Sequence, residues 1–232
     1  MEGFYYHDLF ATKGIEYVLV MIFLGAFVIF SYLTFRAAKG SQVVTSEKRR
    51  LMYPLFKIPE NMYYHRGHSW VFPEGEKLAR IGIDDFAQKL IGKIDEIRIP
   101  RIGEELSQGD VAMTLVVDGK EIKMLSPVDG EIIDVNESVL RDPEKIMRDP
   151  YGEGWLLRAY CPNLESNLKN LLPGRLAARW IDIVRESLFP KVEYNLGAVL
   201  QDGGVPISGM AKQIFPDSWD EVVKEHFLTK DA

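Results

Sequence analysis

A mainly β domain, folded as a small barrel or sandwich with flanking helices and preceded by one apolar helix, is the architecture this sequence predicts. Three observations lead there. Residues 17–35 (YVLVMIFLGAFVIFSYLTF) run for 19 positions without a charge. From about residue 70 onward, short β-branched runs alternate with glycine-marked turns, the pattern of an all-β sandwich or barrel. The chain has 232 residues, 47% apolar and 27% charged. That composition suits one medium domain with extensions and excludes a disordered tail or a multi-span membrane protein.

The apolar run comes first in the chain. At about 1.5 Å per residue it covers roughly the 30 Å hydrocarbon core of a bilayer, which predicts one transmembrane helix within segment 1–36. A cleaved signal peptide would need a basic start and a shorter apolar stretch, whereas Glu2, Asp8 and Glu16 precede the run with Lys13 alone. Arg36, Lys39, Lys48, Arg49 and Arg50 follow it. The positive-inside rule then places the bulk of the chain in the cytoplasm. The expectation is a single-pass protein of the cell inner membrane, N-terminus out, with residues 17–35 in lipid. Gly25, Ala26 and Ser31 could admit a neighbouring helix but form no Gly-x-x-x-Gly motif.

A basic linker, 37–60, carries Pro54 and Pro59. Residues 1–50 hold 6 basic and 4 acidic side chains of the 28 and 34 in the chain, leaving 22 and 30 beyond, a net charge of −8. So acidic a body is not built for nucleic acid. Strand-like runs follow at 71–72, 78–83, 93–100, 111–117, 120–125, 131–135 and 155–160, with a short helix expected at 84–90, where Asp84 or Asp85 can cap the first turn and Phe86 and Leu90 form an i, i+4 pair. The pattern P-x-x-G-E-x-(L/I) occurs at 100–106 and again at 127–133. Between the copies, Asp118-Gly119 separates two strand-like runs, a strong signal for a two-residue hairpin turn with positive φ at both positions. Two matching halves joined by a hairpin make a flattened barrel with the hairpin tip at one end; seven residues leave a chance match open.

The blocks Tyr64-His65-Arg66-Gly67-His68-Ser69-Trp70-Val71, Ile81-Gly82-Ile83-Asp84-Asp85-Phe86-Ala87-Gln88, Leu90-Ile91-Gly92, Ser126-Pro127-Val128-Asp129-Gly130-Glu131, Val135-Asn136-Glu137 and Asp149-Pro150-Tyr151-Gly152-Glu153-Gly154-Trp155-Leu156 resemble the glycine cleavage system H protein. The likeness covers roughly 61–172 and implies a lipoyl-like flattened β-barrel, the barrel-sandwich hybrid. It also implies a carrier rather than an enzyme: in that family a lysine at the hairpin tip bears a lipoyl group that shuttles an aminomethyl unit between partner enzymes. The lysine lies seven residues before the serine of the Ser-Pro-Val-x-Gly block. Counting back from Ser126 lands on Gly119.

Lys120 is one residue off that position and Lys123 four, and a one-residue slip reverses side-chain facing in a strand. The expected state is therefore no cofactor, with a covalent lipoyl group on Lys120 as the alternative. Other candidates have plainer readings. His65 and His68 are spaced H-x-x-H without further ligands, which favours structural histidines over metal. Cys161 has no C-x-x-C partner. Glu104/Glu105 and Asp142/Glu144 are turn carboxylates with no cleft to make them an acid–base pair.

In the extension 173–232, the segment 175–188 predicts an amphipathic helix with Leu176, Trp180, Ile183 and Val184 on one face. Glycine-rich 197–209 lacks the lysine of a phosphate loop and reads as a docking loop. Ser218 to Glu221 fits a capping box before Trp219, Val222, Val223 and Phe227. These pieces either complete the domain's core or present aromatic anchors to a partner. Three functions compete: a non-lipoylated docking or structural subunit of a membrane complex, a lipoyl carrier modified at Lys120, and a membrane-fusion adaptor of the efflux type. The adaptors carry a helical hairpin between the half-motifs and work outside the inner membrane, opposite to the pattern here.

Overall fold

The computed structural model describes residues 17–32, 56–188, 200–201, 205–206 and 208–229. It divides into two compact units, Met1–Pro54 and Leu55–Ala232. In the first, residues 17–32 form helix α1. Its large apolar side chains are exposed around the whole circumference, from 49% at Leu24 to 69% at Tyr17, Met21 and Phe23. This is unlike a surface helix, which shows one apolar stripe and one polar face. Residues 33–35 and the basic neck lie outside the described residues. Among the described residues, no helix is long and apolar enough to cross a membrane.

The second unit is built on two antiparallel sheets. The larger contains β1 (Tyr63–Tyr64), β2 (Ser69–Pro73), β3 (Leu78–Ile83), β5 (Glu105–Leu106), β8 (Gly130–Val135), β9 (Leu157–Tyr160) and β10 (Leu172–Pro173), in the order β10-β1-β2-β3-β9-β8-β5. The smaller contains β4 (Glu96–Arg98), β6 (Val111–Val117) and β7 (Lys120–Leu125), with β6 central. Alternation along the strands turns Val71, Ile81, Leu115, Val117, Ile122 and Ile132 into one shared core, all fully buried. Each such side chain contributes about 1.5–3 kcal/mol relative to leaving it in water.

The repeated motif has a structural meaning. Its two copies pair with each other, β5 against β8 with Glu105 opposite Glu131 and Leu106 opposite Gly130. Gly103 N donates to Ile132 O at 2.8 Å and Ile132 N to Glu104 O at 3.0 Å. The segment between the copies returns as the β6–β7 hairpin.

Helix α2 (Asp85–Ile91) opens on Asp84, whose carboxylate accepts from Ala87 N at 2.7 Å, and it buries Phe86, Leu90 and Ile91. Short helices α3 (Glu137–Arg141), α4 (Glu144–Arg148) and α5 (Leu164–Leu168) occupy connections that periodicity did not mark; five residues are too few to show it. The run at 93–100 contributes only Glu96–Arg98 to a strand.

The extension departs from expectation. Helix α6 (Gly174–Leu188) buries Ala177, Ile181 and Leu188, with Trp180 and Val184 packed partly against the core. Leu176 and Ile183, expected on that face, are exposed at 55% and 65%. An i, i+4 row through 177 and 181 meets the domain, and 176 and 183 fall beside it. Leu200–Gln201 (β11) pairs with Val205–Pro206 (β12); most of the glycine-rich loop otherwise lies outside the described residues. Helices α7 (Met210–Ile214) and α8 (Trp219–His226) close the unit. Ser218 occupies the N-cap of α8 but makes no side-chain cap hydrogen bond, so the capping box is not formed. Met210, Trp219, Val223 and Phe227 are buried in the unit's own core, which takes these aromatic groups out of the partner-presenting role.

Candidate functional site

The hairpin tip is assembled from local chemistry. Val117 pairs with Lys120 across a two-residue turn in which Asp118 has φ +49° and Gly119 φ +73°, the type I′ geometry that Asp-Gly favours. A Cβ added at Gly119 would meet no atom within 4 Å, so the position faces open space while its backbone conformation favours glycine. The turn is anchored on one side by Asp95, whose carboxylate accepts from Asp118 N at 2.8 Å. Outside the sheet, Arg98 binds Glu96 at 2.9 Å and Glu121 at 2.5 Å, and its hydrogen bond holds the Glu96 carboxyl below the usual range.

Both residues flanking Gly119 are engaged by the extension. The Asp118 carboxylate pairs with Lys212, whose ammonium also lies 5.0 Å from the centre of the Trp219 ring. Lys120 opens β7 with a 55% exposed side chain, its Nζ 3.7 Å from Asp220 Oδ2. Asp220 also accepts from Lys224 at 3.3 Å. Burial alone would raise the Asp220 carboxyl, but the Lys224 hydrogen bond and the charges of Lys120 and Lys224 carry it below its ordinary value. A carrier arm is attached through a lysine amide. No amine stands on the turn at 119, and the neighbouring amine is directed to an aspartate of the extension, so the tip does not fit a lipoyl group at the position the resemblance implies.

A buried polar cluster lies at the start of α2. His68, fully buried with φ +66°, places Nδ1 2.9 Å from Asp84 Oδ2. Its ring stacks at 4.8 Å on Phe86 and 4.7 Å on Trp180, with Phe227 tilted against it at 5.3 Å. Nε2 has no hydrogen-bond partner among the described residues. His65 is elsewhere occupied: Nδ1 accepts from Gly67 N at 3.0 Å, and burial, with the charges of His68 and Arg66, lowers its pKa. Asp85 accepts from Lys57 N and Lys89 Nζ, each at 2.8 Å, and Tyr151 donates to Lys57 O. Burial pushes both the Tyr151 and the Tyr64 hydroxyls well up, so they serve as donors that moor the incoming chain, with Tyr64 bonded to Pro59 O at 3.1 Å.

The remaining candidates take structural places. Cys161 is buried, and burial together with the Asp129 charge pushes its thiol up to about 12, far from the thiolate that redox chemistry requires. Asp142 and Glu144 pair with Arg148 at 2.6 and 3.8 Å on the surface. Glu104 and Glu105 are exposed, at β5 and the turn before it. Sequence reasoning missed Lys212 and Asp220 as neighbours of the tip, since no local pattern links Asp118 to Lys212 or Lys120 to Asp220 so far along the chain.

The model of the glycine cleavage H-protein matches residues 62–181, more than half of the chain. A probable glycine cleavage system H protein of Pyrococcus horikoshii is 35% identical over 126 residues, covering 54% of this chain and 93% of that protein. The glycine cleavage system H protein of Carboxydothermus hydrogenoformans is 36% identical over 115 residues, covering 50% and 87%. A crystal structure of a glycine cleavage system H protein from Mycobacterium marinum is similar with a TM-score of 0.49 at 26% identity, covering 54% of this chain and 99% of that one. With the ordered sequence blocks, the paired half-motifs and a match over its central 120 residues, the chain belongs to the glycine cleavage H-protein family.

Proposed function

We propose that this chain is a membrane-anchored member of the H-protein family that carries no lipoyl group and serves as a docking or structural, non-catalytic subunit of a membrane protein complex at the cytoplasmic face. The observation that carries the proposal is the tip: an Asp118-Gly119 turn stands where the family's lysine is expected, and both flanking side chains are paired within the chain. The anchor is supported by the 19-residue uncharged run with the basic neck behind it, and by apolar side chains exposed all round α1, a surface that calls for hydrocarbon or for other helices.

A second reading keeps carrier chemistry, because Lys120 adjoins the turn and its side chain is half exposed. Intact-mass measurement of the full-length protein, purified in mild detergent, separates the two. The expected result is an unmodified chain that brings other membrane subunits with it. A lipoyl adduct mapped to Lys120 establishes the carrier reading, and a clean, unaccompanied monomer removes the docking role.

A further inference from the structure

Residues 208–229 sit on the barrel with little backbone hydrogen bonding to it. Among the described residues, a single backbone hydrogen bond joins them to it, Gly209 N to Lys89 O at 2.8 Å. The others within α7, α8 and their connections are internal. The remaining ties are apolar burial of Met210, Ala211, Trp219, Val223 and Phe227 in the shared core, the pairs of Lys212 with Asp118 and Asp220 with Lys120, and a close seam of Gly92 against Gly209. A Cβ on Gly92 would come within 2.8 Å of Gly209 Cα, so the seam depends on two bare glycines. The family match ends at residue 181, before this segment. The segment therefore lies outside the part of the chain that matches the family.

We infer that residues 208–229 form an intramolecular clasp: a separately opening segment, seated across α2, β7 and the His68 ring, that withholds the hairpin tip from partner proteins until it is released. Three features make it able to open. Its backbone hydrogen bonds, Gly209 N excepted, are internal, so it can lift without stranding backbone polar groups on the barrel. Its perimeter pairs are partly exposed, Asp118 at 62% and Lys120 at 55%, so each holds weakly and yields to a competing charge. Its seat also contains His68 Nε2, which is buried with no hydrogen-bond partner among the described residues, on a ring that Phe227 packs against; lifting the clasp opens that ring to water, which recovers part of the free energy of opening. The inference goes beyond the docking reading and rests on it for the Lys120–Asp220 pair, because a lipoyl amide would remove that ammonium.

Hydrogen exchange with mass spectrometry on the full-length protein in detergent tests it. Peptides from 208–229 are expected to exchange together and at least about tenfold sooner than β2, β3 and β6. Lys212→Glu, which reverses one perimeter pair and removes the cation from the Trp219 face, should speed the clasp and the tip amides by about tenfold while leaving β3 and β9 unchanged. A thiol introduced by Gly119→Cys measures access directly, Cys161 being buried. N-ethylmaleimide should label it equally in both backgrounds, and a maleimide carried on a folded protein should label it faster with Lys212→Glu. A clasp protected as strongly as β3, or a protein-sized probe that labels both backgrounds alike, overturns the inference.

Discussion

The barrel and the segment 208–229 belong to one compact unit and share one apolar core, yet they are held in different ways. In the barrel, ten strands exchange backbone hydrogen bonds in two sheets, and side chains such as Trp70 are both buried and bonded, Nε1 donating to Ile83 O at 2.9 Å and Pro150 O at 3.2 Å. In the terminal segment, backbone hydrogen bonds other than that from Gly209 N are internal, and attachment rests on apolar burial and perimeter charge. Burial alone therefore does not set how firmly an element is fixed. What matters is whether it can leave without stranding backbone polar groups, and a helical segment can, because its hydrogen bonds travel with it.

The largest effect that would sharpen this contrast is Trp70→Ala, which removes a fully buried indole and orphans two carbonyls. It should cost about 3–5 kcal/mol and lower the midpoint of chemical denaturation for the whole unit. Phe227→Ala also empties a fully buried position, with a transfer-and-cavity cost of about 3 kcal/mol, but its effect should appear as faster hydrogen exchange confined to 208–229. A single cooperative loss across strands and terminal helices alike would erase the distinction. Gly119→Ala places a Cβ in open space but at φ +73°, and should cost about 1–2 kcal/mol of hairpin stability, read as a drop in melting midpoint.

Smaller still is a pH effect from the barrel. The folded pKa of His65 lies below its ordinary value near 6.5 because the ring is buried and His68 and Arg66 lie close to it. The unfolded chain therefore binds a proton first, and stability falls as pH drops through about 6.5 toward the lower folded value. Thermal melts of the parent and of His65→Gln across that window should converge on the acid side; parallel curves would assign the slope elsewhere. The smallest response belongs to Arg98→Gln, whose partners Glu96 and Glu121 are all solvent-exposed. The melting midpoint should not move.

The fold was legible where local chemistry is strong. Asp118-Gly119 announced its own turn, Asp84 its own cap, and the repeated P-x-x-G-E motif a pair of equivalent halves. The short helices α3 to α5 were not legible, since five residues complete barely a turn of periodicity. On α6, composition marked an amphipathic helix but not which row faces the core; the row through Ala177 and Ile181 won over the bulkier Leu176 and Ile183. At the candidate site, the Asp118-Gly119 turn was visible in the sequence, while the partners of Asp118 and Lys120 were not.

By itself, the sequence determined the elements whose causes are local: an uncharged apolar run of 19 residues, strands set by β-branched alternation, a positive-φ hairpin turn, and ordered blocks that specify the family. Only the tertiary structure decided that the two half-motifs pair with each other, that the terminal aromatic residues turn inward, and that Lys212 and Asp220 meet the hairpin tip. Turn and strand preferences act over two to seven residues. Contacts between residues so far apart along the chain exist only once the chain has collapsed around a shared core, and no local pattern records them.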